Sequence, residues 1–346
     1  MQIDMADHNF VPYRRGFESN RHRACLIATQ ISCPDLGRLT GGMSIRLRPL
    51  KQRLFCRPAR AYALGALLSC AASGQAFADW QIYVDSGLLH DSNLSRASRA
   101  EDVRADSAFA VTASAGQFIA PTGADGFTVS ADASAEAYDR YDGLNHVAAG
   151  GTASWRHKFG LGYLAPWTAL SASALHDDYR SDIRDSTYVH LLAEAGRRFS
   201  ETFDASMGMI LERRYAANDD PVVPGISGRV FDLAGRGVFV RAGYAATDHL
   251  LVGMRADVRR GDVVSTSKRN REIFLASSAI AEDPTFGDEL YDYRLRGTTW
   301  TASAFASWAL TDTMSLNLSY ADQRTQAASG LDYRSRTGHL SFSYGY

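Results

Sequence analysis

Past Cys70 this 346-residue chain contains no cysteine at all. Its four cysteines, Cys25, Cys33, Cys56 and Cys70, all fall within the first 78 residues. The remainder is therefore neither a disulfide scaffold nor the holder of a thiolate metal site. Apolar runs of about 18 residues are missing, which excludes membrane-spanning helices. No histidine pair has zinc-ligand spacing, and neither a GxSxG elbow nor a phosphate loop occurs. Basic stretches interleaved with aromatics, which would suit nucleic acid, are absent as well. No metal, cofactor or nucleic-acid partner is expected. A net charge is lacking too, at -1, but that balance hides a split. The first 78 residues carry 11 Lys+Arg against 4 Asp+Glu, and the remaining 268 carry 26 against 34.

The basic leader has its own anatomy. Lys51, Arg53, Arg57 and Arg60 precede a short apolar stretch from Ala61 to Ala72, and Ala76-Phe77-Ala78 supplies small residues at a cleavage site. That is the layout of a secretory signal peptide, too short to span a bilayer. Met43 opens a conventional basic start, so residues 43–78 are expected to be the signal, 1–42 an upstream extension outside the native product, and 79–346 the mature body. A competing reading takes Leu67-Leu68-Ser69-Cys70 as a lipobox with Cys70 acylated.

Beyond Ala78 the chain switches to period two. Phe127, Val129, Ala131, Ala133, Ala135 and Ala137 alternate with Thr128, Ser130, Asp132, Ser134, Glu136 and Tyr138. Strict alternation means strands with one apolar and one polar face. Twelve such segments are predicted, near 80–90, 107–119, 126–139, 145–158, 164–176, 186–199, 202–215, 233–246, 249–262, 296–310, 314–325 and 333–346. A slip of phase around Gly235-Arg236-Gly237 predicts a bulge there. Short turns alternate with longer polar loops, the longest at 263–295. This is the pattern of an all-β, antiparallel up-and-down transmembrane barrel. An even strand number puts both termini on the short-turn, periplasmic side and the long loops outside.

The apolar face carries aromatics near strand ends. Trp300 and Trp308 share a face eight residues apart, roughly 20 Å along the membrane normal at the usual rise and tilt. Trp80, Trp155, Phe342, Tyr344 and Tyr346 complete the expected girdles. The tail, with Leu340, Phe342, Tyr344 and Tyr346 on one face, resembles the C-terminal strand of Gram-negative outer-membrane proteins. That resemblance implies recognition of the last strand by the barrel-insertion machinery and residence among outer-membrane lipid and lipopolysaccharide. Lys268, Arg269 and Arg271 are candidate contacts for lipopolysaccharide phosphates.

The polar face predicts the lining: Tyr83, Asp85, Asp132, Glu136, Arg156, Lys158, His190, Glu194, Arg198, Asp204, Glu212, Arg214, Arg241, Arg255, Asp257 and Arg259. Both signs occur on several strands. Twelve strands give a backbone radius of roughly 12 Å, which leaves either a narrow aqueous pore or a salt-bridged, plugged lumen. The 263–295 loop could fold inward as a constriction. Its acids, Glu282, Asp283, Asp288, Glu289 and Asp292, lack calcium-loop spacing and are expected to form a solvated outer surface.

One short segment bears on catalysis. His90 and Ser92 share a face at the end of the first segment, by phase the lipid side, and a Ser with a His base needs such proximity. His90-Asp91-Ser92-Asn93 resembles the H-x-S-N motif of outer-membrane phospholipase A and lipid A 3-O-deacylase, which implies an outer-leaflet lipid hydrolase. The wider GLLHDSNLSRA stretch equally resembles the opening strand of the barrel of surface lipoprotein assembly modifiers, where the segment is not catalytic; that points to assembly or export of surface proteins. The leading expectation is a porin-like passive channel for small polar solutes or ions, without catalysis.

Overall fold

A computed structural model describes residues 80–346. The upstream extension, the signal segment and its cleavage residues Ala76 and Ala78 lie outside the described residues. Thirteen strands form one sheet, of which twelve close into an antiparallel barrel. They are β1 (Trp80–Asp91), β2 (Asp106–Ile119), β3 (Asp125–Tyr138), β4 (His146–Lys158), β5 (Trp167–Tyr179), β6 (Ser186–Arg198), β7 (Phe203–Ala216), β8 (Leu233–Ala245), β9 (Leu250–Lys268), β11 (Leu290–Ala309), β12 (Met314–Ala327) and β13 (Asp332–Gly345). The extra strand, β10 (Ala279–Glu282), belongs to the β9–β11 loop, together with a one-and-a-half-turn helix α1 (Arg271–Ala276). Closure is made by β1 and β13, paired from Tyr83↔Gly345 to Asp91↔Thr337. Closure leaves no barrel edge unpaired, which is what allows strands to sit in lipid.

The alternation sets the two faces. Outward Val129, Leu170, Met207, Met209, Val240 and Met254 are exposed although apolar, and this continuous apolar wall suits hydrocarbon rather than water. Trp80, Trp300, Trp308, Phe342 and Tyr346 are exposed on the same wall. Trp155, partly covered, donates its indole N–H to Asp125 at 3.1 Å, and Tyr344 is partly covered as well.

Three sequence expectations need correction. The fifth strand starts at Trp167, not at 164, because the stretch before it forms a turn. No bulge occurs at Gly235-Arg236-Gly237; the register with β9 runs unbroken through Gly235↔Gly261, Arg236↔Arg260 and Gly237↔Arg259. The two glycines instead clear space inside the barrel. A Cβ on Gly235 would lie 2.7 Å from Glu212 Oε1, and one on Gly237 would lie 2.9 Å from Cγ of Arg259. With that space empty, Arg259 on β9 reaches over β8 to Glu212 on β7 at 3.1 Å. Gly235→Val is therefore expected to separate the pair and cost about 1–3 kcal/mol through overpacking, whereas Gly338→Ala, which meets nothing within 4 Å, should be neutral. Thermal unfolding of the two variants checks this.

The third correction concerns the long loop. β9 and β11 stay paired up to Lys268↔Leu290, whereas β11 pairs with β12 only from Gly297. The β9–β11 hairpin thus projects beyond the rim, and the irregular loop shrinks to 269–289.

Candidate functional site

The site has two parts, a polar lumen and the cap over its loop end. The inner face is identified by contacts that skip a strand, which only a concave wall permits. Arg259 with Glu212 is one. Arg241 on β8, whose guanidinium lies 5.5 Å from the Phe305 ring on β11, is another. In phase with these, the structure puts on the same inner face Tyr83, Asp85, Asp132, Glu136, Arg156, Lys158, His190, Glu194, Arg198, Asp204, Arg214, Arg255 and Asp257.

These groups form small clusters. Asp132 accepts from the hydroxyls of Ser114 at 2.6 Å, Ser130 at 3.0 Å and Thr152 at 2.7 Å, so a carboxylate is held by three neighbouring strands. Asp257 sits between Arg255 at 3.6 Å and Arg259 at 3.5 Å. The Arg255 guanidinium covers the Phe239 ring at 4.2 Å. Asp85 and Tyr83 share the Ser343 hydroxyl across the β1–β13 seam. Opposite charges at this spacing satisfy one another in a partly dry lumen.

Accessibility along the inner face is graded. Toward the loop end the inward side chains are buried, among them Asp177, Ser186, Ile210 and Thr325, each 1% exposed or less. Toward the turn end the inward groups are partly accessible, including Glu194, Asp204 and Arg241, and Arg156 is exposed. Inward groups near the turn end of β4 and β6–β8 are thus more accessible than those beneath the cap, while Ser341 and Ser343 of β13 are buried.

The cap causes that closure. It touches the other loops at the same end of the barrel. Ser265 donates to the Arg96 carbonyl of the β1–β2 loop, and Thr266 N–H to the Ser95 carbonyl. Phe286 and Leu290 pack with Leu144 of the β3–β4 loop. Thr285 sits against Gly143, where a Cβ would meet its hydroxyl at 2.6 Å. Ala279 and Ala281 of β10 pack with Val230 and Phe231 of the β7–β8 loop. Ile273 of α1 joins Ile280, Tyr293, Leu295, Leu331 and Tyr333 in an apolar cluster.

At the centre of the cap lies a charge cluster that the sequence did not reveal. Asp283 and Asp292 are both fully buried, not solvated as their loop position suggested. Arg184, from the β5–β6 loop, donates its Nε to Asp283 at 2.8 Å and stands 3.6 Å from Asp292. Its guanidinium also faces the rings of Phe231 at 4.8 Å and Phe286 at 5.4 Å. Burial and the neighbouring Asp283 charge push the Asp292 carboxyl up to about 7. Asp283 itself is burdened by burial, but Arg184 and Thr285 outweigh this and hold it below the usual carboxylate range. Thr266 donates its hydroxyl to Asp292. Glu282, Asp288 and Glu289 do remain exposed. Lys268, Arg269 and Arg271 are exposed on the cap, with Arg269 bonded to the Tyr291 hydroxyl at 2.8 Å.

His90 and Ser92 are not brought together by any hydrogen bond among the described residues. His90 Nδ1 is 3.0 Å from the Ser107 hydroxyl on β2. Ser92 lies just past the end of β1, where its hydroxyl oxygen accepts the Arg336 N–H at 2.8 Å. Asp91 points inward and pairs with Arg96 at 2.6 Å, where it cannot orient His90.

No protein-family profile and no curated protein matches the sequence. Among solved structures the chain is similar to an outer membrane channel from Pseudomonas putida F1, at 8% identity and a TM-score of 0.47, over 79% of this chain and 97% of that one. The NanC porin aligns at 6% identity and a TM-score of 0.42, over 76% and 98%. LpxR from Salmonella typhimurium aligns at 8% and 0.36, over 76% and 99%. At this distance the likeness adds nothing to what the strand register already establishes, and no activity follows from it.

Proposed function

We propose that this chain is an outer-membrane barrel offering porin-like passage to small polar solutes or ions, gated by the β9–β11 cap. The observation that carries the reading is the charged inner face of β3–β9, with Arg156, Glu194, Asp204 and Arg241 accessible toward the turn end and the groups beneath the cap buried. A structural scaffold does not need a water-accessible ladder of paired carboxylates and arginines, whereas ion and solute passage does. The termini and short turns are assigned to the periplasm and the cap to the outside, because the last strand resembles that of outer-membrane proteins. Assembly by the insertion machinery and residence in lipopolysaccharide-bearing membrane belong to the same proposal.

Planar-bilayer recordings of the purified protein under a salt gradient test it. Discrete openings are expected, brief while the cap is shut. Arg255→Glu adds two negative units beside Asp257 and should move the reversal potential toward cation selectivity. A folded barrel that stays silent even after the cap is deleted would refute the channel.

A further inference from the structure

The outer wall carries charge where the alternation calls for apolar side chains. On the loop-end half of β8, β9, β11, β12 and β13, the outward positions above the apolar belt hold Arg236, Arg260, Arg296, Arg324, Arg334 and Arg336, all exposed. Three acids accompany these six arginines. Asp332 takes Arg324 at 3.2 Å, Asp322 takes Arg334 at 2.6 Å and Arg336 at 3.9 Å, and Asp262 stands 3.8 Å from Arg296. Arg236 and Arg260 have no carboxylate within ion-pair distance among the described residues. They also face one another directly across β8 and β9. Like charges in facing positions destabilise a strand pair, so an anion is the missing partner.

Position narrows what kind of anion. Val238 and Val258, two residues nearer the turn end, are exposed and apolar, and Trp300 is in register with both Val258 and Arg324. An indole at this level marks the boundary between hydrocarbon and headgroups. Arg236 and Arg260 stand one step above it, where headgroup phosphates lie. Strands about 4.8 Å apart bring two guanidinium groups close enough to share one phosphate, and Arg makes paired hydrogen bonds to phosphate oxygens. The band is one-sided: toward the loop end the outward positions of β1–β6 hold residues such as His90, Ser107, His176 and Thr187 but neither Arg nor Lys.

We propose that the β8–β13 wall is a binding surface for the phosphorylated glycolipid of the outer leaflet, with Arg236 and Arg260 clamping one phosphate of its lipid anchor. The proposal rests on the outer-membrane reading above, although not on an open pore. The test uses the purified protein in neutral-detergent micelles, with bisphosphorylated lipid A as the probe and native mass spectrometry as the readout. Dephosphorylated lipid A and phosphatidylglycerol are the comparators. Lipid A is expected to bind with one-to-one stoichiometry, to weaken as salt rises, and to bind at least about tenfold more weakly to the Arg236→Gln, Arg260→Gln double variant. Arg99→Gln, on the β1–β2 loop away from this wall, should leave binding unchanged, and heat-modified electrophoretic mobility shows that each variant remains a folded barrel. Equal binding by the folded double variant, or equal binding of either comparator, would overturn the proposal. So would pairing of two protein copies through this wall in place of lipid. Micelle binding does not depend on conductance, so silence in the bilayer and failure here are separate results.

Discussion

Arg184→Ala should turn a barrel that is mostly shut into one that is mostly open. Among the described residues Arg184 is the one cation paired to Asp283, and it lies within ion-pair distance of Asp292. Its removal leaves two carboxylates in the interior of the cap. Breaking a buried pair from one side typically costs about 3–5 kcal/mol. Outward motion of the cap relieves that cost by returning both acids to water, whereas the twelve paired strands below are untouched. At roughly 1.4 kcal/mol per tenfold, the closed-to-open ratio should fall by about two to three and a half orders of magnitude. Single-channel open probability at neutral pH measures it. A variant that folds and opens no more often than the parent would show that the cap is held by its apolar clusters, and replacement of residues 270–288 with a short Gly-Ser turn would then separate a firmly packed cap from a barrel that has no pore.

Asp292 should make opening depend on pH. Its carboxyl, beyond the rim on the projecting part of β11, sits at about 7 with the cap closed and should return to the ordinary carboxylate value of about 4 once solvated. The closed form therefore holds a proton that the open form releases. Closure is strongest near the ordinary value and loses stability as pH rises from about 4 to about 7, with little further change above. Asp283 acts in the opposite direction and only below about 4, because its depressed value favours closure whenever it is ionised. Arg184, which the two acids hold in its charged form, and the neutral Thr266 do not titrate in this window. Open probability should rise on the order of tenfold or more between pH 4.5 and 7.5, and Asp292→Asn should abolish the rise while keeping the cap shut. An unaltered pH profile in that variant would assign the sensitivity elsewhere.

The barrel was legible because its code is local. Side chains alternate across a strand with period two, so Val129 and Asp132 declare their faces without reference to any other segment, and short turns such as 246–249 declare one end. The inward list follows from phase alone. The glycines at 235 and 237 were misread for the same reason: in one strand a missing side chain looks like a broken pattern, while its purpose, room for Arg259 to reach Glu212, involves two other strands. Asp283 and Asp292 were read as solvated because a polar loop without periodicity gives no sign of burial.

Sequence by itself determined a cysteine-free body of twelve alternating strands, an apolar wall with aromatic girdles, and a charged interior. Only the tertiary structure decided that the mouth is covered, that the long loop is half strand, and that an arginine 99 residues away in the chain holds it down. The strands obey the pleat of their own backbone, and that can be read one segment at a time. The cap depends on the meeting of loops from five hairpins, brought together by closure of the barrel beneath them.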